Sequence, residues 1–178
     1  SWTAVISGGG WQSVALSSDG KYQIAVANGG DVWTSSNYGS SWSSASLGST
    51  SWYGSAVSAS GQYQSVVEYN GNIYVSTTYG SSWTARDSAR TWSSITMTPD
   101  GATQYATVRN VGGSVYVSTD YGTTWNPTTA PADDYTDIAV SNNGQYVTAV
   151  AGRETSSGRI YVSIDSGSTW TIAPPSAG

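Results

Sequence analysis

The sequence predicts an all-β protein, a β-propeller of four blades, each a four-stranded antiparallel sheet. Three observations carry that prediction. An eight-residue box recurs at Ser35 to Trp42, Ser76 to Trp83, Ser118 to Trp125 and Ser163 to Trp170, always with Ser first, Gly fifth and Trp last. Counting Trp2 as a fifth copy of the box Trp, the spacings are 40, 41, 42 and 45 residues. A supersecondary unit repeated at that period marks a ring or array of small sheets. The composition of the 178 residues agrees: nine Trp, 13 Tyr, 21 Gly, no Phe and 10% charged residues suit tight turns and little helix.

Each unit reads alike. A leading aromatic (Trp11, Trp52, Trp92, Tyr135) opens a first short apolar run such as Ser13 to Leu16. A Gly turn follows at Asp19-Gly20, Ser60-Gly61, Asp100-Gly101 and Asn143-Gly144, and such a dipeptide between two apolar runs is a hairpin signal. The second strand comes next, for example Tyr22 to Ala27. The third is apolar at nearly every position: Val32-Trp33-Thr34, Ile73-Tyr74-Val75, Val115-Tyr116-Val117, Ile160-Tyr161-Val162. Alternate side chains point to opposite faces, so such a run needs cover on both sides, as in a sheet wedged between neighbours. The box turns the chain, and a fourth strand starts at its Trp.

In the box, a polar residue at the third position can accept hydrogen bonds from backbone N–H groups while the Gly takes the strained angle. These residues resemble the Asp-box, or BNR repeat, with the pattern S-x-D-x-G-x-[ST]-W, known from sialidases and from many non-enzymatic propellers. The resemblance covers nearly the whole chain and is specific for the repeat, not for an activity. Its structural positions here are Asn37, Gly39 and Trp42; Thr78, Gly80 and Trp83; Asp120, Gly122 and Trp125; Asp165, Gly167 and Trp170. Asn37 and Thr78 depart at the Asp position, so their turns are expected to be less tightly tied.

The chain reads as a single domain with blades at about 11–45, 52–86, 92–128 and 135–173 and a surplus outer strand at 1–6. Unpaired strand edges are avoided in proteins, so a ring closed within one chain is expected. A ring shared between subunits of a homo-oligomer is the alternative.

Composition also bounds the partners. One Lys, five Arg and a formal charge of -5 are too few cations to neutralise a run of phosphates, which argues against nucleic acid. No apolar stretch reaches the ~18 residues that span a bilayer, so no membrane insertion is expected. Without Cys or His there is no thiol nucleophile, zinc-thiolate site or imidazole base. No cofactor is implied. A glycan or protein partner fits better, and the Ser/Thr/Gly-rich, Lys-poor surface points to an extracellular, surface-associated or organelle-lumen setting.

All nine Trp fall at repeat positions and read as packing between blades. Tyr53, Tyr69 and Tyr105 lie outside the repeat, and Tyr53 and Tyr69 fall at strand ends that a ligand can reach. In a propeller, the loops from second to third strand and from fourth strand to the next blade share the face opposite the boxes. That face collects Asp31, Glu68, Asp87, Arg90, Arg109, Asp133, Asp134, Arg153 and Glu154, and variable loops on a rigid ring are the usual place for recognition. The candidate ligand site is therefore Tyr53, Glu68, Tyr69, Asp87, Arg90, Arg109, Asp133, Asp134, Arg153 and Glu154. Asp133, Asp134 and Asp137 supply oxygens enough for calcium, but their spacing matches no EF-hand, and an acidic loop without metal is the reading adopted.

The resemblance implies that sialidase chemistry would need three Arg on a carboxylate, a Tyr nucleophile activated by Glu, and an acid/base Asp. Arg90, Arg109, Arg153 and Glu68-Tyr69 offer the residue types. No Arg-Ile-Pro precedes the first box, and neighbours on a strand point apart. A non-enzymatic binding module for carbohydrate is expected, with an assembly subunit on a protein complex and a glycoside hydrolase as alternatives.

Overall fold

The structure, a computed structural model, describes residues 6, 9–152 and 158–173. All regular structure among them is antiparallel β, and no helix there is long and apolar enough to cross a membrane. The first unit is a meander of β1 (Gly10–Leu16), β2 (Gln23–Gly30), β3 (Val32–Ser35) and β4 (Ser43–Ser44), paired in that order. The last unit repeats it with β11 (Tyr135–Val140), β12 (Val147–Ala151), β13 (Arg159–Ser163) and β14 (Thr171–Ile172). Between them run β5 (Thr50–Val57), β6 (Gln64–Ser76), β7 (Thr84–Met97), β8 (Gln104–Val108), β9 (Val115–Ser118) and β10 (Asn126–Pro127). β6 has two legs: Gln64 to Glu68 pair with β5, and Ile73 to Val75 pair with β7. The chain reverses between them at Asn70, where φ is 61°. β7 likewise closes the second unit with Thr84 to Arg86 and opens the third with Trp92 to Met97.

The hairpin turns form for a local reason. Ser17 Oγ donates to Asp19 Oδ1 at 2.6 Å and accepts the Tyr22 N–H at 3.0 Å, while Asp19 Oδ1 takes the Lys21 N–H. Thr98 with Asp100 and Ser141 with Asn143 repeat the arrangement. A Gln at the start of the second strand ties back to the turn Gly carbonyl in three units, Gln23 to Gly20, Gln64 to Gly61 and Gln104 to Gly101.

Among the described residues the buried hydrophobic side chains form three clusters, one at each seam between successive units. At the first seam Ile24, Val26 and Val32 meet Trp52 and Val66; at the second Val67, Ile73 and Val75 meet Trp92 and Ile95; at the third Tyr105 and Val115 meet Tyr135, Ile138 and Val147. Thus Trp52, Trp92 and Tyr135 are fully buried, as expected, whereas their counterpart Trp11 is 39% exposed. Tyr105 is no spare residue either: it is wholly buried at the third seam, and its hydroxyl donates to the Ser166 carbonyl at 3.1 Å.

Strand pairing groups β1 to β10 in one sheet and β11 to β14 in another, and among the described residues no sheet closes on itself. The expected closing strand at 1–6 lies, apart from Ile6, outside the described residues, as does Trp2.

The box turns hold two surprises. Both the Gly and the residue before it take positive φ: Tyr38 60°, Tyr79 57°, Tyr121 60° and Ser166 57°, each followed by Gly near 80°. A side chain in that region costs roughly 1–2 kcal/mol, so something must hold it. The first box residue does, because Ser35, Ser76, Ser118 and Ser163 each accept the Gly N–H at 2.8–3.0 Å. Second, Asn37 and Thr78 keep the same main-chain bond as the aspartates: the N–H of Ser41 and of Ser82 reaches them at 3.0 Å, against 2.9 and 2.8 Å for Thr124 on Asp120 and Thr169 on Asp165. They are therefore tied to a similar degree. In every box the indole N–H donates to the Gly carbonyl at 3.1–3.2 Å.

These bonds set the acid stability. Ser17 holds the Asp19 carboxyl below its ordinary value of 3.8, Thr98 does so for Asp100 and Thr169 for Asp165. At Asp120 and Asp133 burial pushes upward, but hydrogen bonds from Thr124, and from Tyr161 and Arg159, outweigh it. A carboxyl lowered on folding stabilises fully above its unfolded value and loses that contribution as pH falls through the folded one. The thermal midpoint is therefore expected to be flat from about pH 7 to 5 and to fall below about pH 4, as scanning calorimetry across that range would read.

Candidate functional site

Loops from the two predicted positions do share one rim, because they bond each other. Arg109 N–H donates to the Thr91 carbonyl at 2.7 Å, Asp133 N–H to Gly113 at 3.1 Å, Gly152 N–H to Asp134 at 3.0 Å, and Asn72 Nδ2 to the Asp87 carbonyl at 2.6 Å.

The centre of this rim lies at the second seam. Arg90 sits over the ring of Tyr116 at 4.5 Å, with Trp92 at 5.7 Å, and pairs with Asp87 at 3.5 Å. Asp87, at φ 56°, also accepts the Ser88 N–H at 2.7 Å. A guanidinium held over an aromatic face gains about 0.5–2 kcal/mol and becomes fixed in direction. Beside it opens a polar pocket of about 460 Å³ lined by Asn70, Arg90, Thr91, Asn110, Ser114 and Tyr116, among others. Arg90 Nε, Arg109 Nε and Trp92 Nε1 are buried without a hydrogen-bond partner among the described residues.

Next to the pocket, Tyr53 and Tyr69 stack with centroids 5.1 Å apart and planes at 28°, and Arg109 lies over Tyr53 at 5.8 Å. Glu68 turns the other way: its carboxylate accepts the Thr50 hydroxyl at 2.6 Å. Consecutive residues diverge here as strand geometry requires.

Other predicted residues lie apart from the pocket. Asp31 accepts its neighbour's N–H, from Val32, at 2.7 Å and the Ser44 hydroxyl. Asp133 accepts Arg159 Nη1 at 2.9 Å, Tyr161 OH at 2.7 Å and the Asp134 N–H at 2.8 Å, forming a closed ion-pair network at the third seam. Asp137 accepts Ser94 Oγ at 2.7 Å. Asp133 and Asp137 are thus turned to different partners. Arg153 and Glu154 lie outside the described residues.

Sequence reasoning missed Asn70, Asn110, Ser114 and Tyr116. Tyr116 was hidden by its repeat position, but Asn70 follows Glu68-Tyr69 at a Gly turn and stood where a left-handed residue is needed. On the opposite rim, a second polar pocket of about 490 Å³ includes Tyr22, Ser36, Ser44, Thr78 and Tyr79 at the first seam. It was also missed, since its hydroxyls belong to the box pattern.

A series of antiparallel meanders packed flank to flank defines a propeller-type protein. Comparison with solved structures supports that class. The chain is similar to YCF48 bound to D1 peptide (13% identity, 92% of this chain and 54% of that one, TM-score 0.67). It is also similar to the RRP9 WD40 repeats (13%, 92% and 51%, 0.74) and to the GH74 enzyme of Niastella koreensis (19%, 92% and 24%, 0.70). Identities this low show the fold alone, and the chain spans about half or less of the length of these structures. No family model matches the chain, and no curated protein matches it.

Proposed function

We propose that the chain is a non-enzymatic recognition module of Asp-box propeller blades that binds carbohydrate on the loop rim opposite the boxes. The observation that carries this reading is Arg90, oriented by Tyr116 and Asp87, with its Nε buried and unpartnered beside a pocket of amides and hydroxyls. Sugars are recognised by fixed planar donors, by amide and hydroxyl groups and by aromatic faces, and Asn70, Asn110, Ser114 and the Tyr53–Tyr69 stack supply these. The divergence of Glu68 and Tyr69 supports the non-enzymatic reading, since a Tyr nucleophile needs its activating Glu within reach.

A glycan array followed by calorimetric titration of the best hit tests it. Arg90→Ala and Asn110→Ala are each expected to weaken binding about tenfold or more, as loss of a directed hydrogen bond does, with folding unchanged by circular dichroism. An array without hits, or hits indifferent to both substitutions, would refute the carbohydrate reading. The alternative is protein docking on the same rim, which the peptide-bound YCF48 neighbour favours. Capture of one stoichiometric protein that the Arg90 variant no longer holds would establish it.

A further inference from the structure

The three seams follow a matching rule, and the exposed flanks of the first and fourth units carry its unmatched halves. A Tyr at the start of one unit's second strand stacks on the box Tyr of the next: Tyr22 on Tyr79 with centroids 4.8 Å apart, and Tyr63 on Tyr121 at 4.5 Å. Where the third unit has Thr103 at that position, the fourth unit's box has Ser166, so both partners are small together. The fourth unit returns to Tyr, Tyr146, and the first unit's box has Tyr38. These two are 51% and 64% exposed.

The rest of each flank follows the same rule. Val32, Ile73 and Val115 are completely buried by the following unit, yet their counterpart Ile160 is 49% exposed, and Ile164 and Ile172 beside it are open as well. At the other end Trp11, Ala25, Trp42 and Ile6 line an apolar pocket of about 220 Å³, where the seams elsewhere insert the preceding unit's aliphatic residues. The Gly of the hairpin turn is buried in the second, third and fourth units and only half-buried at Gly20; Tyr22 covers Gly61 and Tyr63 covers Gly101. Hairpin turns are also joined by main-chain bonds, Ser18 N–H to Ala59 O at 3.0 Å and Ala59 N–H to Pro99 O at 2.7 Å. Pro99 has no N–H to pass on, but Asn142, at the same position of the fourth unit, does.

From this we infer that the fourth unit's flank docks on the first unit's flank of a second copy of the chain, with Tyr146 stacked on Tyr38. Two copies related by a twofold axis make two identical seams of this kind, which closes the array and leaves no open end. A second copy is the occupant because both flanks carry the halves of one seam type, including the Tyr pair, and both are exposed among the described residues. The inference is independent of the ligand proposed for the loop rim.

Native mass spectrometry and light scattering over a concentration series test it, expecting twice 18.5 kDa. Tyr146→Thr or Tyr38→Ser alone is expected to raise the dimer dissociation constant about tenfold, and the two together to recover part of that loss, because small then meets small as at the third seam. Since the chain has no Cys, Tyr38→Cys chains mixed with Tyr146→Cys chains are expected to give a disulfide-linked pair under oxidation. A mass of 18.5 kDa at every concentration overturns the inference. So does a double Cys variant that links only within one chain, which would mean a ring closed by a single copy.

Discussion

Replacing Trp92 with alanine is expected to remove about 3–5 kcal/mol of stability, the usual cost of emptying a large buried aromatic site. Trp92 is fully buried at the second seam, where it meets Tyr116 edge-on at 5.2 Å and packs with Val67, Ile73 and Val108. No single-sided collapse can refill the space, because its wall belongs to two successive units. Since a domain of this kind has only about 5–15 kcal/mol in hand, the variant should lose a large part of its urea midpoint. Trp11, at the same repeat position but open to water, is the control: at concentrations where the chain is single, its replacement should cost under about 1 kcal/mol. Equal losses at the two positions would mean that the seams are not where stability resides.

The second large effect is expected at Gly113. Its missing side chain lets three strands of backbone meet: a Cβ there would lie 2.1 Å from the Val108 carbonyl oxygen and 2.7 Å from that of Asp133. Neither atom can swing away as a side-chain end would. Both are held by main-chain bonds, Val108 N–H to Ser114 at 3.0 Å and Asp133 N–H to Gly113 at 3.1 Å. Gly113→Ala should therefore cost about 2 kcal/mol or more in denaturant melts, at the upper end of overpacking effects. The loop from Asn110 to Ser114 also walls the rim pocket, so the same change should weaken glycan binding, while Val111→Ala, fully exposed next to it, should alter neither.

Much of the architecture was legible because the repeat states it four times. The Gly hairpins, the box turns and the leading aromatics each recur at one position, so a reading made on one unit could be checked on the others. What the repeat could not show is what lies beyond its ends. Trp11 and Trp52 hold the same repeat position, yet one is half-open to water and the other fully buried. Closure of the ring is a property of seam count and curvature, which no single unit encodes. The backbone at Tyr38, Tyr79 and Tyr121 was misjudged for a different reason: glycine was given the whole reversal, although the turn needs two left-handed residues and the box serine stabilises both.

The candidate site was legible in outline only. Charge segregation grouped Arg90, Arg109, Asp87, Glu68 and the Tyr53–Tyr69 pair; Arg90 pairs with Asp87 and Arg109 lies over Tyr53, whereas Glu68 turns to Thr50. Asp133 was grouped with them by type, but its carboxylate is consumed by Arg159 and Tyr161. The neutral pocket residues were invisible because Asn and Ser in loops are common and carry no charge pattern. Distances between side chains on different units follow from how the wedges are set against each other, and sequence spacing says nothing about that.

Three hydrophobic clusters in series among the described residues give this protein a chain-like energetics. In a single copy each wedge borrows its persistence from the flanks beside it, so the first and fourth wedges, each with one flank exposed, are the first to peel away. Loss of a terminal wedge leaves the remaining junctions intact, and lengthening the series by whole wedges disturbs none of those already made. Size is thus a freely adjustable quantity in such a molecule, and the small aromatic handshake at each boundary decides which wedge follows which.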